Sequence, residues 1–125
     1  MSVEVLHLSR SVGMWRIASP GTTVYYLDLD LGMIVRARGA GSVRFVFDDR
    51  WCHLVDVLSY DLITGEPKRA IVRVGDRPRY TLDPGPEWPQ LEWRWQRTVT
   101  TIEAVADGDV LDVRRRFLPT HSDSD

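Results

Sequence analysis

Side chains able to do chemistry are few and scattered in this sequence. The histidines are His7, His53 and His121, and no two stand at a metal-ligand spacing. Cys52 is the single cysteine, so no Cys-x-x-Cys pair exists and a structural zinc site is not expected. His53 follows Cys52 directly, but neighbours on a strand point to opposite faces, so the imidazole would not reach the sulfur. A nucleophilic thiol also needs its pKa lowered by a base or a helix N-terminus, and nothing marks one. Among the carboxylates, Asp28 and Asp30 are two apart and would share a strand face at about 7 Å, a spacing that suits a hard cation or acid–base work. Asp48 and Asp49 fall at a turn. Turn formation explains both pairs more simply. Residues 39–41 (Gly-Ala-Gly) are too short for a phosphate loop, and no Gly-x-Ser-x-Gly elbow occurs. The reading is a non-enzymatic chain with no catalytic residue, no metal and no cofactor. A hydrolase built on Asp28 and Asp30 ranks last.

Tryptophan and arginine form the one pattern that points to binding. There are five tryptophans, Trp15, Trp51, Trp88, Trp93 and Trp95, and fifteen arginines against one lysine, Lys68. In residues 92–97, strand alternation puts Trp93, Trp95 and Arg97 on one face and Glu92, Arg94 and Gln96 on the other. A returning strand at 110–117 would group Asp112, Arg114 and Arg116. In most β domains such tryptophans face the core and such arginines form the solvated outer face. The alternative is a Trp/Arg surface over residues 87–97, with Trp88, Trp93, Trp95, Arg94, Arg97, Arg114 and Arg116 as its binding residues. That surface would serve a protein partner, or single-stranded nucleic acid on a small barrel.

These residues need a scaffold, and composition bounds it. The chain has 125 residues, 43% of them hydrophobic and 27% charged, enough for one core without a staple. The net charge of −2 argues against a dedicated duplex-DNA binder. No apolar run approaches the ~20 residues of a membrane span, and the opening residues do not resemble a secretion signal. A lone cysteine suits a reducing interior, so a cytoplasmic location is expected.

Strand signals dominate the chain, at residues 3–8, 13–17, 22–29, 33–38, 43–47, 52–60, 70–74, 91–106 and 110–117. Turns are marked by Ser19-Pro20-Gly21, by Asp30-Leu31-Gly32, by residues 64–67 and by Gly75-Asp76 before Pro78. Residues 52–60 leave strand and short helix both open. The three prolines in 83–90 make a loop. Asp107-Gly108 reads as a tight hairpin. The expectation is an all-β fold, a small β-barrel or β-sandwich of seven to nine short antiparallel strands with at most one short helix. One domain would cover residues 1–118, with 119–125 a disordered acidic tail.

Residues 15–17, 21–22, 26–29 and 35–39, with Arg97-Thr98-Val99-Thr100-Thr101-Ile102, resemble small uncharacterised β-rich proteins of actinobacteria and their phages. The arginine bias agrees with such a source. The resemblance implies a β fold and carries no activity, cofactor or site residue. The function expected from the residues is a protein-interaction module that binds another protein or a second copy of itself. Single-stranded nucleic acid is the alternative partner, and a membrane is not expected.

Overall fold

A computed structural model describes residues 1–118. Ten strands and one α-helix are present among them. The expected tail at 119–125, which includes His121, lies outside the described residues.

The main sheet runs in the order β10-β2-β3-β4-β5-β8-β9, entirely antiparallel. Its strands are β2 (Met14–Ala18), β3 (Val24–Asp28), β4 (Met33–Ala37), β5 (Cys52–Tyr60), β8 (Arg77–Asp83), β9 (Glu92–Trp95) and β10 (Thr101–Ala104). The short β6 (Pro67–Arg69) adds to the far half of β5. A second, two-stranded sheet pairs β1 (Val5–His7) with β7 (Ile71–Arg73) and sends Leu6 and Val72 into the same interior. The expected hairpin at residues 30–32 joins β3 and β4, with Gly32 at φ +67° as the turn requires. Cys52–Tyr60 is strand throughout and carries a bulge between Leu54 and Asp56.

Strand β3 is buried along its whole length because it is covered twice. Tyr25 and Leu27 face the interior with Trp15, Ile17, Ile34, Val57 and Tyr80. Val24 and Tyr26 face the other way, into a second cluster with Met14, Val35, Val113 and Phe117. The cover is α1 (Asp107–Arg116), where a returning strand was expected. Val110, Val113 and Phe117 repeat at helical spacing, giving one apolar stripe. Asp107 and Asp109 occupy the first turn and Arg114, Arg115 and Arg116 the last, matching the helix dipole. Asp107-Gly108 therefore opens a helix and is not a hairpin turn.

Three further expectations are corrected. Residues 43–47 are not a strand. Phe47 and Asp49 take left-handed backbone (φ +69° and +60°), and Asp48 Oδ2 accepts the Phe45 N–H, closing a turn. Residues 91–106 are two strands, because the segment 96–100 passes from the side of β8 to the side of β2. Gln96 N–H donates to Pro78 O, Val99 N–H to Asp76 O, and Thr100 N–H to Ala18 O. Pro78 does not end a strand; it sits in β8 opposite Ser59. Its carbonyl accepts from Gln96 N–H, so its missing N–H faces the Gln96 carbonyl, which accepts from Arg77 Nε (3.2 Å) instead.

The two ends of the main sheet, β9 and β10, are consecutive in the chain, but no ladder joins them among the described residues.

Candidate functional site

Strand β9 is turned inside out relative to the usual placement of tryptophan. Trp93 and Trp95 are 61% and 42% exposed, whereas Arg94 and Gln96 are 7% and 2% exposed. The partner strand explains the orientation. Tyr80 and Leu82 of β8 point into the core, and cross-strand partners share a face. Tyr80 stands opposite Arg94 and Leu82 opposite Glu92, so these go inward and the tryptophans outward.

Polar groups sent inward must be bonded. Gln96 accepts from Tyr80 Oη (2.6 Å) through Oε1 and donates to Ile17 O (2.9 Å) through Nε2. This ties the end of β9 to β2 across the interior. Arg94 donates to Val46 O (2.6 Å) and Trp93 O (2.8 Å), lies 3.3 Å from Glu92, and has its guanidinium 5.5 Å from the Phe45 ring centre. Arg94, expected as a surface binding residue, is instead the strut that holds the 43–49 loop.

The outer face of β8–β9 carries aromatic rings and guanidinium groups in contact. Arg77 lies over the Trp95 ring at 4.8 Å, and Arg79 sits 5.9 Å from Trp93 and 5.8 Å from Trp95. Tyr60, from β5, packs against Trp95 with centroids 5.0 Å apart. Neither Arg77 nor Arg79 pairs with a carboxylate among the described residues. Sequence reasoning missed Tyr60, Arg77 and Arg79, because β8 was not read as a strand.

Trp88 continues the aromatic patch only in part. It packs edge-on against Phe47 at 5.1 Å, and its indole N–H donates to Glu92 Oε2 (3.0 Å). Arg97 is exposed and lies beyond Trp95, at the rim of a neighbouring cleft. Arg114 and Arg116 do not join this surface. They belong to α1, where Arg114 bonds Asp28 and Arg116 bonds Asp112 one turn back (2.9 Å). The expected grouping of Asp112, Arg114 and Arg116 thus splits, since a helix sends Arg114 to a different face from the i, i+4 pair.

Strand β9 also has a free edge. The Gln96–Pro78 bond fixes which residues of β9 bond β8, and alternation leaves the backbone groups of Trp93 and Trp95 facing outward. The Trp93 carbonyl is taken up by Arg94 Nη1.

The remaining candidates are spent structurally. Asp28 is fully buried and paired with Arg114, while Asp30 Oδ1 accepts the Gly13 N–H (2.9 Å). Burial pushes the Cys52 thiol up to about 11, so it stays protonated at neutral pH. His53 beside it is exposed. Among the described residues, no three His, Cys, Asp or Glu side chains gather to hold a metal, and no helix is long and apolar enough to cross a membrane. No family model matches the chain, and neither a curated protein nor a solved structure matches it.

Proposed function

We propose that this protein is a non-enzymatic interaction module, a small and incompletely closed β-barrel whose partner is another protein or a second copy of itself. The partner would dock on the outer face and free edge of β8–β9. The observation that carries the reading is the exposure of Trp93 and Trp95 beside Arg77, Arg79 and Tyr60. Trp, Tyr and Arg are the residue types that dominate binding energy at protein interfaces. The outward backbone of β9 offers an extended segment a strand to pair with. A reducing interior, where Cys52 stays a thiol, suits this module, and the resemblance of its opening strands to actinobacterial and phage proteins belongs to the same reading.

Single-stranded nucleic acid is the second reading, favoured by the two arginines that lack a carboxylate. It ranks lower because base stacking needs bare ring faces, and Arg77 and Tyr60 already cover Trp95. The net charge of −2 weighs the same way.

Panning a library of extended peptides against the full chain tests the first reading. Selected peptides are expected to lose about tenfold in affinity on Trp93→Ala or Trp95→Ala. Peptides indifferent to both substitutions, together with oligonucleotides that quench tryptophan fluorescence at low salt, would replace it with the second.

A further inference from the structure

A cleft of about 490 Å³ opens beside Trp95, between the β2–β3 turn, the loop after β4 and the segment after β9. Its size falls in the range of small-molecule sites. Gly39 lets two of the lining segments, residues 21–23 and 40–43, meet: a Cβ there would overlap Thr22 Oγ1, so only glycine allows the approach.

One lining residue, Tyr25, carries an unsatisfied group. Its side chain is 2% exposed, and its hydroxyl proton has no acceptor: the neighbouring Arg36 can only donate to the oxygen. Burial pushes this hydroxyl up to about 12, so it is a protonated donor at neutral pH. The charges around it are Arg36, Arg94 and Asp48. The arginines are donors only and cannot accept its proton. Asp48 bonds Arg36 and the Phe45 N–H through Oδ2, and its Oδ1 is also without a bond.

The other groups lining the cleft fit an acceptor-rich guest. Arg36 lines it, braced by Asp48 and by the Phe45 ring 4.3 Å from its guanidinium. Arg97 stands at the rim and forms no ion pair among the described residues. Trp95 supplies an aromatic wall.

We propose that this cleft binds a small ligand made of a phosphate group on a flat-ringed body. Arg97 and Arg36 hold the phosphate oxygens, Tyr25 Oη, buried in the free chain, opens to donate to one of them, and the ring meets the edge of Trp95, whose faces Arg77 and Tyr60 already cover. Three donors from three chain segments match an anion that accepts from several directions, as phosphate does. The site stands whether or not a protein docks on β8–β9. The phosphate could arrive on a free mononucleotide or at the end of a strand, and the chemistry is shared.

Titration calorimetry on the full chain tests it with four probes: inorganic phosphate, a nucleoside, its 5′-monophosphate, and an oligonucleotide ending in that phosphate. The monophosphate is expected to bind about tenfold tighter than the nucleoside or phosphate alone. Arg97→Gln and Tyr25→Phe should each weaken it about tenfold. Arg97 is exposed, so its variant keeps the fold even if the Tyr25 variant does not. An oligonucleotide tighter than the monophosphate assigns the strand end as source, and one no tighter assigns the free compound; both support the site. Equal binding of nucleoside and monophosphate, or no heat from either, overturns it. So does a folded Tyr25→Phe protein with unchanged affinity, the result expected if a trapped water joins Tyr25 to Asp48.

Discussion

Arg114 on the helix grips Asp28 on β3 from 86 positions away, with Nε 2.7 Å from Oδ2 and Nη2 3.3 Å from Oδ1. The carboxylate is fully buried, while the arginine keeps part of its side chain in solvent. The pair clamps α1 to the sheet where Val113 and Phe117 already pack. Removing only the cation strands a buried charge. Arg114→Ala is expected to lower the urea midpoint, whereas the double change Asp28→Asn with Arg114→Leu should lower it less.

Gln96 makes the corresponding link inside the core, between Tyr80 Oη and Ile17 O. Truncation leaves both without that partner in a site closed to water. Gln96→Ala should lower stability by about 2–6 kcal/mol, by counting two unmet groups. The surface neighbour Trp93→Ala should stay within about 1 kcal/mol of the parent. Equal losses for the two variants would mean that β9 does not face as described.

Alkaline pH should weaken the fold. Cys52 is pushed up from an ordinary 9.0 to about 11 and Tyr25 from 10.0 to about 12, both by burial. A raised value means that the folded chain keeps a proton the unfolded chain gives up. The contribution of these two groups is therefore fully present below pH 9, falls from pH 9 towards 11 through Cys52, and falls further between 10 and 12 through Tyr25. Urea midpoints at pH 8, 9.5 and 10.5 check this, and Cys52→Ala should flatten the first part. The same burial predicts that iodoacetamide modifies Cys52 rapidly only once urea has unfolded the chain.

Gly39→Ala is expected to disrupt the wall of the cleft, because the new methyl meets the Thr22 backbone at 2.3 Å as well as its side chain. A melting temperature several degrees lower is expected, since the clash involves main chain that cannot swing aside. Gly108→Ala, on the exposed first turn of α1 with open space around it, should leave the melting temperature unchanged or raise it.

Much of the sheet was legible in the sequence. Residues 22–29 and 33–38 bracket β3 and β4 to within two positions, because β-branched and aromatic residues flank a turn that needs Gly32. What escaped did so for particular reasons. The unbroken apolar run from Val24 to Leu27 means burial on two faces, and that doubled cover called for a layer that strand patterning alone did not supply. The layer is α1, hidden because Asp107-Gly108 fits a hairpin as well as a helix start. Alternation grouped Trp93 with Trp95 correctly, but periodicity does not say which face is the core. That answer lies in β8, whose Tyr80 and Leu82 fix the orientation of β9 and whose Pro78 disguised it as a loop. The phosphate-site candidates Tyr25 and Arg36 carry no sequence signal, since they are neighbours only through the β3–β4 register.

The most direct measurement of the central claim is the affinity of a selected peptide for the parent chain, Trp93→Ala and Ile63→Ala. Ile63 is 95% exposed in the turn after β5, takes no part in the Trp–Arg–Tyr contacts of the proposed face, and serves as the apolar control. The docking face predicts a loss of about tenfold at Trp93 and none at Ile63. Equal affinity for all three proteins would contradict it.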